Sequence, residues 1–318
     1  MEPHLGRDTQ AAADARMTVT VGDAAGELVA HRPMLYGVAY RILGSSSDAD
    51  DVLQDAYLRW RAIERREVHE PRRYLSRMVT RLAIDRLRTR TKQETYVGTW
   101  LPEPVPTEHS ASDPLDSVEQ RDTLATATLY LMERLDPVER AVFVLRSAFD
   151  VPYAEIAEIV QRTAEHCRQL YRRASDRLAA SAPRFTPSRR EHAALLERFL
   201  AAARDGDLAA LRAVLHDDVV TWSDGGGKVR AARNAVVGVD KCVRFFVGVY
   251  GTKRRPAIIP LELNGSPGAV LRDADMYQAL TFGVRDGKIA AIFLVSNPDK
   301  LAVLRRIERP CFSPSRLP

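Results

Sequence analysis

The sequence predicts a multidomain protein in which two all-α helical domains precede an α+β domain with a curved antiparallel sheet. Three observations predict it. Apolar residues repeat at helical spacing through residues 26–92 and again through 118–182. A run rich in proline and serine separates these two blocks. Beyond residue 190, two helical signals give way to short β-like runs punctuated by Gly and Pro. Helices first and strands after them are the pattern of an α+β domain. With 318 residues and 45% hydrophobic content, the chain is long enough for two or three proper cores.

Residues 1–25 are polar and alanine-rich without periodicity, and are expected to form a flexible tail. In the block 26–92, Leu35, Val38, Ala39 and Ile42 share one helix face, and Val52, Leu53, Ala56, Tyr57 and Trp60 the next. Gly44 and the serines after it break the two helices apart, and Asp48 is expected to cap the second. A third helix begins at Pro71, with Leu75, Met78, Val79, Leu82, Ile84 and Leu87 on its buried side. Its other side carries Arg72, Arg73, Arg77, Arg81, Arg86, Arg88, Arg90 and Lys92, with Asp85 as the main opposing charge. That density favours phosphate contact, and Tyr74 and Trp60 could stack unpaired bases.

Residues 93–117 read as an extended linker without a core of its own. The block 118–182 contains VPYAEIAEIVQRTAEHCRQLYRRASDRL, two short helices joined by a tight turn. Ile156, Ala157 and Val160 line the first helix, and Thr163 can cap the second, whose seam is Cys167, Leu170 and Ala174. This leaves Arg168, Gln169, Arg172 and Arg173 facing outward, and Arg162, Glu165, Arg168, Gln169 and Arg172 are the candidate surface for reading duplex DNA, since arginine and glutamine read base edges in the major groove. A connector at 183–190 leads to the α+β block 191–304, and 305–318 form a C-terminal tail.

Basic residues number 47 against 42 acidic ones, a net charge of +5 that mildly favours an anionic partner. The three cysteines, Cys167, Cys242 and Cys311, lack metal-ligand spacing, so thiols are expected rather than a zinc site or a disulfide framework. No apolar run approaches a membrane span and the N-terminus lacks a secretion signal, so a cytoplasmic protein is expected.

MLYGVAYRILGSSSDADDVLQDAYLRW with PRRYLSRMVTRLAIDRLRTR resembles region two of bacterial extracytoplasmic-function sigma factors, and ERLDPVERAVFVLRSAFDVPYAEIAEIV with its following helix resembles their region four. The resemblance implies a transcription initiation factor that binds the clamp of the largest subunit of RNA polymerase core. It implies that region two opens the minus-ten promoter element and that region four reads the minus-thirty-five element. On this pattern Asp50, Asp51, Gln54, Asp55 and Trp60 are the polymerase-binding residues, and Tyr74, Arg77, Arg81 and Arg86 lie on the melting helix. Polymerase supplies the chemistry, so no nucleophile, metal or cofactor is expected.

The third block resembles the SnoaL-like extension of SigJ-type sigma factors, through its opening helices, WSDGGGKVRAA and VSNPDKL, with ETYVGTWLPEPV in the linker as a further signature. The resemblance implies a cone-shaped domain that regulates the sigma factor. Asp224, Gly225, Gly226, Gly227 and Lys228 are read either as a hairpin turn or as a contact site whose exposed amides receive a carboxylate or a partner loop. Asn297, Pro298, Asp299, Lys300 and Leu301 read as a helix start, and the resemblance implies that they pack near the DNA-binding domains.

Two other classes of function stay open on the sequence. SnoaL-like folds also house enzymes, but His216, Asp217, Asp218, Asp240 and Asp275 form no recognisable dyad. A small-molecule ligand in the C-terminal domain is more plausible than catalysis. A helix-turn-helix repressor with a small-molecule-sensing domain would explain the second and third blocks, but not the first.

Overall fold

The computed structural model describes residues 7–63, 68–93, 96–107, 122–181, 189–250 and 256–307. Helices α1 (Arg7–Leu43), α2 (Ser46–Arg61) and α3 (Pro71–Gln93) form the first block. Their facing sides bury Leu35, Val38, Ala39 and Ile42, then Val52, Leu53, Ala56 and Trp60, then Leu75, Val79 and Leu87, following the apolar periodicity. Helix α1 starts at Arg7, inside the stretch whose composition suggests a tail. The alanines of that stretch have the highest helix propensity of any residue.

Gly44, at φ +66°, terminates α1 with its amide donating to Tyr40 O at 2.7 Å. The cap of α2 is Ser45, not Asp48: Ser45 is extended, at φ −130° and ψ 125°, and its hydroxyl accepts from Asp48 N at 3.1 Å. Asp48 falls inside the first turn, and its carboxylate accepts from Arg86 Nη2 at 2.8 Å.

The second block comprises α4 (Thr126–Met132), α5 (Pro137–Phe149), α6 (Tyr153–Val160) and α7 (Ala164–Ser181). Asp136 and Glu139 close a capping box at the start of α5, with Pro137 in its first turn. Helix α6 ends where Gln161 turns left-handed at φ 55°, the conformation that commonly selects glycine. Thr163 Oγ1 then accepts from His166 N at 3.1 Å at the start of α7. The two helical blocks share one hydrophobic core, in which Tyr40 and Val79 belong to the same cluster as Leu124, Val142 and Ile159.

The third block opens with α8 (Arg189–Asp205) and α9 (Leu208–Val214). Six strands follow among the described residues: β1 (Leu215–Asp224), β2 (Val236–Val237), β3 (Ala257–Leu263), β4 (Ser266–Arg272), β5 (Tyr277–Arg285) and β6 (Lys288–Val295). They are ordered β2-β1-β6-β5-β4-β3, antiparallel except for the β1·β6 pair. Register shifts in β1 and at Gly283 bend the sheet.

Helix α10 (Val239–Tyr250) lies between β2 and β3, where the sequence suggests only a strand at AVVGV. Two residues of that run pair with β1, Gly238 turns at φ +91°, and Cys242, Val243, Phe246 and Tyr250 then fall on one buried helix side. Helices α8 to α10 pack one sheet face through Phe199, Leu211 and Phe246 against Leu271, Leu280 and Ile292. The other face presents Val270, Ala279, Phe293 and Val295 to Leu101 of the linker and to Leu301 and Leu304, at and beside α11 (Ala302–Ile307). Among the described residues no helix is long and apolar enough to cross a membrane.

Candidate functional site

Helix α3 directs its cations toward the second block. Arg73 lies 3.2 Å from Glu158 and 3.4 Å from Glu155, and Arg77 also pairs with Glu158. Arg81 donates to the carbonyls of Ile159 and Glu158 at 2.9 Å each. Arg86 turns the other way and pairs with Asp48 and Asp51 at 2.8 Å. Tyr74 is exposed, its ring 5.7 Å from that of Trp60. The cationic face expected to bind a melted strand is therefore matched to glutamates and carbonyls of α6.

On α2, Asp50 pairs with Arg32 at 2.7 Å, Asp51 pairs with Arg86, and Gln54 and Asp55 are exposed. Trp60 departs from the expectation of a contact residue, because it is fully buried and packs in the core beneath Tyr74. Its large apolar surface is worth more inside the three-helix seam than on a wet face. On and just before α7, Arg162, Glu165, Arg168, Gln169 and Arg172 are all exposed, with Arg168 3.0 Å from Glu165 and over the Tyr153 ring. The structure brings these five together on and just before one helix.

Residues 96–107 are not a free tether, since Leu101, Glu103 and Val105 are buried. The Glu103 carboxylate accepts from Ser45 Oγ and Ser46 N at 2.8 Å and from Ser47 Oγ at 3.1 Å, which places a negative charge at the N-terminus of α2. Its carbonyl accepts from Tyr40 Oη at 2.6 Å, and Asn264 Nδ2 donates to that same Tyr40 hydroxyl. Asn264 exchanges two more hydrogen bonds with Val105, so the linker bridges the first block to the β3–β4 turn. Burial pushes the Glu103 carboxyl up, opposed by the serine donors.

A second knot joins the linker to the glycine-rich turn. Asp224 is fully buried and accepts from Tyr96 Oη at 2.6 Å, Leu101 N at 2.9 Å, Gly226 N at 3.0 Å and Lys300 Nζ at 2.7 Å. Lys300 also donates to Leu101 O and lies 4.0 Å from the centre of the Trp100 ring. Burial pulls the Lys300 ammonium down while Asp224 holds it up. Asn297 Nδ2 donates to Tyr96 Oη at 2.9 Å, and Lys228 pairs with Asp299.

Both readings of the glycines meet here. Gly225 O accepts from Lys228 N at 3.0 Å to close a turn, and Gly226, at φ +58°, leaves no room for a side chain because a Cβ would stand 2.2 Å from Asn297 Nδ2. The carboxylate received by the turn is its own Asp224. The expected helix start at Asn297 is instead an Asx turn, with Asp299 N donating to Asn297 Oδ1 at 3.1 Å; the helix begins at Ala302. Leu301 is buried on the sheet beside it.

Sequence reasoning missed Glu103, Asn264, Glu155 and Glu158. The two glutamates on α6 stand at i and i+3 on its outward side, a spacing that signals a charged face without saying what it meets. In the C-terminal domain His216 and Asp218 lie together on β1, with Asp218 N donating to His216 Nδ1 at 3.1 Å. Arg212 pairs with Asp240, and Arg285 lies 3.0 Å from His216 Nδ1.

Residues 28–93 match the Sigma-70 region 2 family and residues 126–178 the Sigma-70 region 4 family. The chain is 38% identical over 290 residues to the ECF RNA polymerase sigma factor SigJ of Mycobacterium tuberculosis, covering 86% of this chain and 92% of that protein. It is 29% identical over 282 residues to the probable ECF RNA polymerase sigma factor SigI of the same species, covering 87% and 94%. The crystal structure of SigJ superposes with a TM-score of 0.70 at 36% identity, covering 88% of this chain and 98% of that one. With both helical blocks matched, and with likeness to SigJ running through the third, the chain belongs to the extracytoplasmic-function sigma factors of RNA polymerase and is not an enzyme.

Proposed function

We propose that the C-terminal domain regulates this sigma factor by holding its linker, so that region four stays against the melting helix of region two until polymerase core draws them apart. The observation that carries this is the double anchoring of one linker segment, on Asp224 and Lys300 at one end and on the α2 N-terminus through Glu103 at the other. In this reading Asp50, Asp51, Gln54 and Asp55, with the exposed Leu58 beside them, meet the clamp of the largest polymerase subunit. Tyr74, Arg77, Arg81 and Arg86 take the minus-ten strand once α6 has moved, and the α7 face reads the minus-thirty-five duplex. The factor works in the cytoplasm on promoter DNA, and its C-terminal domain also receives a small-molecule ligand. The domains are 26–92, 118–182 and 191–304.

The test is transcription in vitro with bacterial core polymerase, comparing the full chain with one truncated after Pro183 on promoters from its own upstream region. Core-dependent initiation that rises on truncation supports the reading. Equal initiation by both forms removes the regulatory part. Binding of palindromic DNA as a dimer without polymerase would return the repressor.

A further inference from the structure

We propose that the crevice between α4 and the outer sheet face is a binding site for a small aromatic monoanion with a single ring and a carboxylate. The inference rests on the reading that the C-terminal domain receives a ligand, and places that ligand outside the cone, against region four. The crevice measures about 230 Å³ and is lined by residues of α4, its following turn, β1, β5 and β6. Its wall is aromatic: the Trp222 and Phe293 rings stack at 5.2 Å with 8° between their planes, and Tyr130 tilts against both, at 5.2 and 5.6 Å. Its floor is small, because a Cβ on Gly283 would already meet Ala291 at 3.4 Å and Ala127 at 3.8 Å. A flat ring fits such a slot, and the volume falls below the roughly 300–1,000 Å³ of sites for larger ligands, which limits the occupant to one ring.

The charge at the rim sets the rest. Arg134 borders the crevice from the α4 side, and among the described residues its guanidinium has no hydrogen-bond or ion-pair partner. Arg285 borders it from the sheet, 3.5 Å from the exposed Asp218. Two guanidinium groups against one carboxylate leave a single positive charge at the mouth of an aromatic slot. A guanidinium accepts a carboxylate in a two-pronged geometry that a hydroxyl cannot match. Because the slot exists only while α4 lies on the sheet, an occupant binds the docked form alone and favours it by mass action.

The experiment is calorimetric titration of the full chain with sodium benzoate, with benzyl alcohol and benzylamine as neutral and cationic counterparts, repeated on Arg134→Gln and Arg285→Gln. Arg134 is exposed and has no side-chain partner among the described residues, so Arg134→Gln leaves the contacts of the fold in place, while Arg285→Gln also gives up His216 and Asp218. The expected result is saturable benzoate binding, at least tenfold weaker in Arg134→Gln, with neither counterpart binding comparably. Absence of benzoate binding to the full chain overturns the proposal, as does an equal response to all three probes. Benzoate binding unchanged in both variants overturns this placement while leaving a ligand elsewhere in the C-terminal domain.

Discussion

Lys300 Nζ stands 2.7 Å from Asp224 Oδ2 with neither residue reaching solvent appreciably, and both hold the main chain of Leu101 between them. A buried pair of this kind gains little over a well-packed apolar one, but removing one partner strands the other. Lys300→Met is expected to destabilise the docked linker by about 3–5 kcal/mol. Asp224→Asn combined with Lys300→Met should recover part of that loss, since no uncompensated charge remains. Limited proteolysis at residues 96–107, with urea denaturation alongside, reads both effects. Protection of the linker in Lys300→Met equal to that of the natural chain would show that the pair does not anchor it.

Glu158 pairs with Arg73 and Arg77 together, so neutralising it frees Arg77 and leaves Arg73 held by Glu155 at 3.4 Å. Exposed ion pairs contribute roughly 0.2–1 kcal/mol each, and Arg81 keeps its carbonyl contacts, so Glu158→Gln loosens the contact without abolishing it. The expected outcome is a few-fold gain in affinity of the full chain for a single-stranded minus-ten oligonucleotide at low salt, shrinking as ionic strength rises. Fluorescence anisotropy across a salt series measures it. Unchanged affinity at every salt concentration would mean that α6 does not compete with DNA for α3.

Much of this architecture is written in local pattern. The seams of α1 to α3 and of α6 and α7 follow 3.6-residue periodicity, and Gly44 marks the end of α1 because only a left-handed residue turns the chain there. Helix α10 is less legible, because VDKCVRFFVGVY is rich in valine and phenylalanine, which suit a strand equally well. Trp60 illustrates a different ambiguity, since the same aromatic serves a core or a contact surface and only three-dimensional packing decides between them. The knots at Asp224 and Glu103 join residues far apart in sequence, and no periodicity encodes such a pairing. The string WLPEP shows only a proline-stiffened segment; that its glutamate would sit on the α2 N-terminus follows from where the C-terminal domain carries the linker.

Arg168 and Arg172 share the exposed face of α7, yet they serve different purposes in the proposed minus-thirty-five contact. Arg168 is steadied by Glu165 and by the Tyr153 ring, which presents its guanidinium for a two-pronged contact with a guanine edge. Arg168→Ala should cost about 1–3 kcal/mol on the preferred sequence and flatten discrimination at one base pair. Arg172→Ala should weaken all sequences alike and lower the salt slope by about one unit. Competition binding against single-base variants of the minus-thirty-five element separates the two. Discrimination left intact by Arg168→Ala would remove that residue from the reading surface.

His192 is buried against the Phe282 ring, with 4.4 Å between ring centres, and burial pulls its imidazole down to about 4 from its usual 6.5. The folded domain therefore keeps the ring neutral between those values while the unfolded chain takes up a proton. Protons are then bound preferentially by the unfolded state, so stability is full above about pH 6.5 and falls as the pH drops toward 4. The loss over this window is on the order of 3 kcal/mol for this one group. His192→Phe should remove that contribution to the acid slope, leaving the slope from the carboxylates, although the larger ring will also cost some packing at neutral pH. Urea denaturation of both proteins at pH 7, 6 and 5 compares the slopes independently of that offset. Parallel curves across the three pH values would mean that the buried imidazole titrates normally and that the domain tolerates its charge.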